Sequence, residues 1–364
     1  ANGKDYVLLL RKLPAVAGAN TLRPVECYCI TDNQWTTVSW NAADTIGEDF
    51  LTANGVSAAV NVGQYTLFGL NNLKCTSASA VRYDPTNAST SRGVVWIRGG
   101  AYNRTYAVRF NGTTYSYTTP DASVSGSAAA IAPAAIAASL SAVIAGSSSS
   151  GAYILLVVTG GDDISVSDGG DGSLMRGVKN VTDDIAKLPQ RAVDGQIVKV
   201  QTSPTTWFYM QAYGKTGYVG QLDEVIWREC AGESQGDSVT GLGKIRIIAG
   251  TGGAPDALYV GVQQAGNLNG LVHMPTVPEV IPTVVPSAAG DSGTAPIPRW
   301  MTDQITYMGL FQDRLLIASD AALSVSGAGD YLNFFRTTMV TVPISDGFEM
   351  VAQGGDDDSL RHGV

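Results

Sequence analysis

The chain has 364 residues, enough for two or three domains, and its 42 glycines and 15% charged residues are typical of a turn-rich β protein. Its net charge of −9 and pI near 4.7 argue against a general affinity for nucleic acid, because such binding depends on neutralising phosphates with lysine and arginine. No apolar run approaches the ~20 residues that a membrane-spanning helix needs.

The first seventy or so residues carry short β-type runs separated by turns. Strands are predicted at residues 6–10, 25–30, 35–40 and 60–68, with a loop or short helix at 42–53. Cys27 and Cys29 lie two apart on one predicted strand and should face the same side. A zinc site needs further ligands, and the chain has 2 histidines to offer. We therefore predict that the four cysteines are reduced and structural.

A β-hairpin is predicted between residues 106 and 118. The apolar run at 94–102 leads into a β-rich run at 106–110, then Asn111-Gly112, then a second run at 113–118. Asn-Gly between two such runs is the strongest short hairpin signal, because a type I′ turn needs positive φ at both central residues.

One amphipathic helix is predicted at residues 128–145, because apolar side chains recur there at near-helical spacing. Pro133 fits its first turn, where a backbone N–H is not needed. A serine-rich segment ends the helix, and residues 153–159 are predicted to form a buried strand.

Aspartates and glycines alternate after this strand, in Asp162-Asp163 and at residues 168–172. Several carboxylates on glycine-rich turns suit calcium. Their spacing, however, fits neither an EF-hand loop nor a nonapeptide repeat, so it favours ordinary turns over a calcium site.

Residues 181–230 contain further predicted strands, at 195–200, at 207–210 and around Trp227. The interval 231–297 is rich in glycine and proline, with strands predicted at 245–249 and 258–262. We expect this interval to be an exposed insertion.

The C-terminal run has the most regular strand pattern of the chain. Strands are predicted at 307–311, 315–318 and 323–327, separated by short turns, and another at 339–344. The aromatic cluster at 331–335 is expected to fill a core.

Candidate catalytic groups are few. Nucleophilic catalysis needs a base, and the interior candidate His273 lies next to Met274-Pro275 in a predicted loop. Adjacent acids at 162–163, 223–224 and 356–358 could serve a glycosidase, although such runs are usually solvated turns. The glycine-rich segments at 241–244 and 250–253 do not fit a phosphate-binding loop. We predict no catalytic residue, metal or cofactor.

The C-terminal residues resemble a signature of the tail tubular protein B family, the nozzle proteins of short-tailed bacteriophages (podoviruses). In that family an F-x-x-R-L strand precedes a serine-bearing strand, an aromatic segment with Asn-Phe, and an acidic loop. The matching residues are Phe311, Arg314, Leu315, Ser319, Ser324, Ser326, Tyr331, Asn333 and Phe334.

Two further stretches are similar to the same family, in the same order. One follows V-x-[VI]-R-G-G-x-Y, a strand and N-G, and its matching residues are Arg98, Gly99, Gly100, Tyr102, Asn111 and Gly112. The other, at residues 187–227, follows K-L-P, G-x-[MI]-V-K-[VI], an aromatic strand and a strand with tryptophan. We interpret these positions as structural rather than catalytic.

The resemblance implies a mainly β, multi-domain fold. A propeller-like β domain is built from sequence-distant blades, with inserted antiparallel β domains and one short helix. The implied units are blades at 1–92, a hairpin and helix at 93–180, a β domain with the insertion at 181–300, and a return to the propeller-like domain at 301–364. Family members run well beyond this point, so an internal or N-proximal piece of a longer polypeptide is implied.

The resemblance also implies a structural protein of the virion's short tail, made in the host cytoplasm. Six copies form a ring that contacts an adaptor or gatekeeper protein, retains and conducts the genomic DNA, and seats tail fibres or spikes. An acidic chain suits such a channel, because it repels the DNA that passes.

Two other functions remain open from the sequence. One is a tail-associated β-rich enzyme acting on host polysaccharide, which would need paired carboxylates beside surface aromatics, such as Asp223 and Glu224 near Trp207 or Trp227. The other is a monomeric carbohydrate-binding module.

Overall fold

The computed structural model describes residues 3–10, 25–36, 54–86, 92–158, 163–217, 220–248, 257–262 and 282–352. These residues form a mainly β structure with several sheets, as predicted. No helix among them is long and apolar enough to cross a membrane. The predicted loop or helix at 42–53 and the end of the predicted strand at 35–40 lie almost wholly outside the described residues.

The first six strands belong to three separate sheets. They are β1 (Tyr6–Leu10), β2 (Val25–Cys29), β3 (Gln34–Thr36), β4 (Val56–Val62), β5 (Tyr65–Leu70) and β6 (Ser77–Val81). β1, β2 and β3 make a three-stranded sheet of their own, while β4 and β5 form an antiparallel hairpin.

Two helices and seven strands follow. They are β7 (Arg92–Ile97), β8 (Thr105–Phe110), β9 (Thr113–Thr118), α1 (Ser127–Ala130), α2 (Pro133–Ala142), β10 (Ser148–Ser150), β11 (Tyr153–Val157), β12 (Ser165–Ser167) and β13 (Met175–Val178). Their two sheets have the strand orders β10-β11-β7-β13 and β12-β8-β9, and α2 packs against them. A single core, drawn from residues 95–175, fills this unit.

The predicted hairpin is confirmed. Asn111 and Gly112 connect β8 to β9 with φ of 49° and 74°, the positive values that the Asn-Gly turn requires.

The predicted single helix is wrong, because it is divided into α1 and α2. Pro133 opens α2 as expected. The residue before a proline is forced away from the helical region, and Ala132 accordingly has φ −59° and ψ 137°. The break is therefore a local effect of Pro133.

A five-stranded sheet follows, with the order β14-β16-β17-β18-β15. Its strands are β14 (Val181–Thr182), β15 (Arg191–Val193), β16 (Ile197–Ser203), β17 (Thr206–Gly214) and β18 (Leu222–Cys230). The predicted aromatic strand is β17, and Trp227 lies in β18, so both predictions are confirmed.

The next strands pair with strands from the N-terminal part of the chain. β19 (Glu233–Val239) pairs with β6, and β20 (Leu242–Ile248) pairs with β5 and with β21 (Ala257–Val262). The expectation that this interval is exposed is wrong for β20, because Leu242 and Ile245 are each 1% exposed. Residues 263–281 lie outside the described part. The domain boundaries remain predictions.

The last sheet has the order β22-β23-β24-β25 and is built from β22 (Tyr307–Phe311), β23 (Arg314–Ser319), β24 (Ala322–Val325) and β25 (Phe348–Val351). The strand predicted at 339–344 is wrong. That segment is a loop with Val342 and Ile344 69% and 95% exposed, and its backbone is held by polar contacts described below. Its high β propensity is outweighed, since propensity depends on a partner strand.

A second core joins distant parts of the chain. It is called here the assembled core, and its buried residues are Val62, Leu67, Cys75, Val239, Leu242, Val284, Trp300, Met301, Ile305, Met308, Leu315, Ile317, Phe334 and Phe335. It packs β4, β5 and β20 against the last sheet. A neighbouring cluster packs Cys27 of β2 against Phe68 of β5 and Ile245 of β20.

All four cysteines are free and buried, as predicted. Cys27 and Cys29 both face inward from β2. Burial raises the pKa of Cys75 and of Cys230 to about 12, so both remain neutral thiols.

Candidate functional site

Arg314 of the C-terminal signature holds the loop that precedes β25. Its Nη1 donates to the carbonyl oxygens of Ser326 (2.7 Å) and Asp346 (2.8 Å), and its Nη2 donates to that of Ile344. The guanidinium carbon lies 5.9 Å from the ring centroid of Phe348. A guanidinium has five N–H donors in a rigid planar fork, whereas a lysine ammonium has three on a flexible stem, so arginine holds several carbonyls in a more fixed arrangement. Arg314 therefore acts as a structural clamp.

The turn between β22 and β23 forms a second part of this signature. Gln312 and Asp313 have φ of 47° and 58°, which gives the twist that a tight hairpin needs. The Tyr331 hydroxyl donates to Asp313 Oδ1, and the Gly329 N–H donates to the Asp313 carbonyl oxygen at 2.8 Å. Phe311, at the same turn, is 61% exposed.

The aromatic cluster closes the assembled core, as predicted. The Phe334 ring meets Trp300 edge to face at 5.1 Å, and Leu315 is fully buried in the same core. Asn333 fixes this segment, because its carbonyl oxygen accepts from Gly327 N at 2.7 Å and its Oδ1 accepts from Phe335 N at 3.2 Å.

The Arg-Gly-Gly signature connects β7 to the helical segment. The Tyr106 hydroxyl donates to the Gly99 carbonyl oxygen at 3.1 Å and accepts from Ala101 N at 3.1 Å. A Cβ built on Gly100 would lie 1.7 Å from the Ile131 carbonyl oxygen, at the break between α1 and α2. Glycine at this position therefore permits the two backbones to approach.

The other residues of the Arg-Gly-Gly signature lie at the surface. Arg98 is exposed, and its Nη1 donates to the Ser173 carbonyl oxygen at 3.3 Å. Tyr102 is 38% exposed, and Asn111 and Gly112 form the hairpin turn. The structure thus places the two signature groups in different sheets and different cores, rather than in one site.

Asp291 joins the loop before the last sheet to the five-stranded sheet. Its Oδ2 accepts from Trp207 Nε1 (2.9 Å) and from the Tyr209 hydroxyl (2.6 Å), and its Oδ1 accepts from Thr294 N (3.0 Å). Burial alone would raise the pKa of Asp291, but these hydrogen bonds outweigh it and hold the pKa below its usual value. Burial and the adjacent carboxylate raise the pKa of Tyr209.

Glu229 of β18 makes a second connection of the same kind. Its Oε1 accepts from Met339 N at 2.6 Å, and its Oε2 accepts from the Thr338 hydroxyl. We call Glu229 and Asp291 together the carboxylate junction. No local sequence pattern indicates this junction, because the bonded partners of Glu229 lie 109 and 110 positions away along the chain.

The paired carboxylates proposed for a glycosidase are not assembled around Asp223. Its Oδ2 accepts from the backbone N–H (2.7 Å) and the hydroxyl (2.6 Å) of Thr216, and these bonds, the hydroxyl first, lower its pKa. Glu224 is exposed and pairs with Lys215 at 3.4 Å. Adjacent strand residues point to opposite faces of a sheet, so these two carboxylates cannot flank one sugar bond.

The two tryptophans of that hypothesis are also engaged elsewhere. Trp207 Nε1 donates to Asp291, while Trp227 Nε1 donates to the Pro189 carbonyl oxygen at 2.7 Å. The other candidates, Asp162, His273 and the acids at 356–358, lie outside the described residues.

Asp168 shows ordinary turn chemistry, as favoured from the sequence. Its Oδ1 accepts from Gly170 N (2.8 Å) and Gly172 N (3.0 Å), and its Oδ2 accepts from Leu174 N (2.8 Å). Within the described ranges, no group of three or more His, Cys, Asp or Glu residues is placed to hold a metal ion.

A comparison with protein-family models finds one that matches residues 25–240 and 286–364, the model of the bacteriophage nozzle protein family. Both groups of signature residues fall inside the match. Residues 241–285, with β20 and β21, fall outside it. No curated protein matches the chain.

Proposed function

The chain belongs to the bacteriophage nozzle protein family, and on this premise we propose that six copies form a ring in a short phage tail. Membership of the family indicates a structural component of the virion tail. The ring retains the packaged genome and conducts it at infection, and it has no enzymatic role. The observation that carries this proposal is the family match across residues 25–240 and 286–364.

The charge of the chain supports passage of DNA without sequence recognition. Each copy has a net charge of −9, because carboxylates outnumber its lysines and arginines. A ring of copies carries the sum of these charges. Like charges repel at short range, so the duplex does not adhere to the wall through its phosphates.

The strand pairing supports a propeller-like arrangement. The sheets β21-β20-β5-β4 and β22-β23-β24-β25 each have four strands, and they pack through the assembled core. Four-stranded sheets are the blades of propellers. We propose that these two sheets are blades drawn from distant parts of the sequence. An adaptor or gatekeeper protein and tail fibres or spikes are the proposed partners.

Light scattering of the purified chain and cryo-electron microscopy of virions test this proposal. We expect a six-fold ring on the tail axis whose density fits the described sheets. A chain that remains monomeric, is missing from the tail and degrades polysaccharide would reject the ring and restore the enzyme hypothesis.

A further inference from the structure

A cleft separates the unit of residues 92–178 from the segment that leads into the five-stranded sheet. Its volume is about 410 Å³, within the range of small-ligand sites. One wall is the outer face of the sheet β10-β11-β7-β13, and the other wall is the segment of residues 186–190. Because one neighbouring row of the same sheet face is buried, the cleft lies at the edge of a closed contact.

The floor of the cleft is a row of three residues on adjacent strands. Tyr153, Trp96 and Arg176 lie directly opposite one another across β11, β7 and β13. The Tyr153 and Trp96 rings are nearly parallel, with an interplanar angle of 20° and centroids 6.4 Å apart. The two rings form a half-buried aromatic pair, and Arg176 lies beside Trp96 in the same row.

The neighbouring row of residues on the same face of the sheet is buried in a packed contact. Leu155 and Val94, which are opposite each other on β11 and β7, pack into a cluster with Ala192, Val193 and Ala212 of the five-stranded sheet. On this face of the sheet, the packed contact therefore ends at the row of Tyr153 and Trp96. Arg191 helps to position the Tyr153 ring. Its guanidinium carbon lies 5.9 Å from the Tyr153 ring centroid, and its Nη1 donates to Ser150 Oγ at 3.0 Å.

The charge of the cleft is opposite to that of the protein. Arg98 and Arg176 line it, and none of its described lining residues is acidic. Arg176 makes no hydrogen bond or ion pair of its side chain with another described residue. The nearby Asp183 is paired with Lys187 at 2.7 Å, and this bond first, with a smaller contribution from the charge of Arg176, lowers the pKa of Asp183. The cleft therefore holds two guanidinium groups in a chain whose net charge is −9, and that of Arg98 already donates from Nη1 to the Ser173 carbonyl oxygen.

These features define the ligand by its chemistry. A guanidinium binds a carboxylate through two parallel hydrogen bonds, and a flat aromatic surface packs against the apolar face of a ring. The exposed amide of Gln190 at the rim supplies both a donor and an acceptor for hydroxyl groups. We propose that this cleft binds an acidic saccharide, a sugar ring that carries one carboxylate. A nucleic acid strand, with a phosphate on every unit, would need more cations than the cleft offers.

The proposal does not depend on the role in the tail, and it is tested with the purified 364-residue chain. The probe is a trimer of galacturonic acid, compared with the neutral galactose trimer and with a short oligothymidine, by calorimetry and by NMR. We expect the acidic trimer to bind at least about tenfold more tightly than the neutral one, the ratio that a charge-assisted hydrogen bond supplies.

The double variant R98Q/R176Q should weaken binding of the acidic trimer by at least about tenfold. R109Q is the matched control, because Arg109 is exposed in β8 of the same unit and outside the cleft, and it should leave binding unchanged. Binding that is equally tight in R98Q/R176Q, or absent from the wild type, would overturn the proposal. Preference for oligothymidine would overturn it in favour of nucleic acid.

A second measurement detects binding in the wild-type protein and uses a variant only to assign one signal. The indole N–H signal of Trp96, assigned by its disappearance in W96F, should shift when the wild type binds the acidic trimer. Binding that shifts other indole signals while this one stays in place would locate the ligand elsewhere and refute the site.

Discussion

The core of the unit at residues 92–178 and the assembled core differ in how far their residues lie apart in sequence. The first takes all its buried residues from positions 95 to 158 and Met175. The second combines residues 62–75, 239–242 and 284–335. The core of residues 92–178 can form from one continuous segment. The assembled core can form only when segments that are distant in sequence come together. We therefore expect the two to lose structure separately under stress, since local units of a protein open with different free energies.

The largest expected effect comes from Trp300, which is fully buried in the assembled core. Trp300→Ala should lower the free energy of unfolding by about 3–5 kcal/mol, because it leaves a cavity against Phe334. Hydrogen exchange should show the loss of protection in β5, β20 and β23, while β7 and β8 stay protected. Equal loss in both cores would contradict their independence.

Trp300→Phe is the matched control for that variant. The indole Nε1 of Trp300 is buried and has no hydrogen-bond partner among the described residues. Phenylalanine keeps a ring and removes this unpaired donor, so the cost should be clearly smaller than for alanine.

Removing the Arg314 clamp tests the last sheet, β22-β23-β24-β25, which forms one side of the assembled core. Arg314→Gln deprives three carbonyl groups of a charged donor and should cost about 2–3 kcal/mol in urea denaturation. Arg336→Gln, at an exposed arginine in the same region, should stay within about 0.5 kcal/mol of the wild type. If both variants behaved alike, the clamp would have no energetic role.

Gly100 tests the self-contained core in the same way. Gly100→Ala places a Cβ against the backbone at Ile131, which should cost about 1–3 kcal/mol because that backbone cannot move aside freely. At Gly99 the nearest atom to a new Cβ is the side-chain Cδ2 of Leu174, at 3.0 Å, so Gly99→Ala should cost less. Thermal unfolding of the two variants gives the comparison, and a reversed order would refute the close approach at Gly100.

The carboxylate junction should give the smallest effect and a dependence on pH. The pKa of Asp291 is lower in the folded protein than its usual 3.8, so its stabilisation is present above that pH and is lost as the pH falls through the folded value. Asp291→Asn should therefore cost about 1 kcal/mol at neutral pH and less near pH 2, where more of the carboxyl group is protonated.

Urea denaturation of Asp291→Asn and the wild type at both pH values measures this difference. Asp330→Asn, at an exposed carboxylate, is the control and should show no such change. A difference that persists undiminished at low pH would show that the loss at Asp291 is steric rather than ionic.

The sequence predicted those features that depend on neighbouring residues. The Asn111-Gly112 turn followed from the φ values that a two-residue hairpin demands, and the position of Pro133 followed from its missing N–H. The aromatic cluster around Phe334 was expected in a core because rings of that size are costly to expose. Each prediction needed information from a few adjacent positions.

Features that depend on distant partners could not be predicted. The pairing of β5 with β20 joins residues that no local pattern relates, and for that reason the expected exposure of the insertion was wrong for β20. The loop at 339–346 has a strand-like sequence, yet Arg314 and Glu229 bind its backbone. Of the candidate sites, the cleft needed the three-dimensional alignment of Tyr153, Trp96 and Arg176.

The pairing of β6 with β19 has a consequence for synthesis on the ribosome. Val81 lies opposite Glu233, and the roughly 150 intervening residues take on the order of ten to thirty seconds to translate at about 5–20 residues per second. During that delay the unit at 92–178 can fold, while β6 waits without its partner. A waiting strand is exposed to pairing with other nascent chains. β6 has the sequence SASAV, whose small and polar side chains offer such chains little apolar surface to hold.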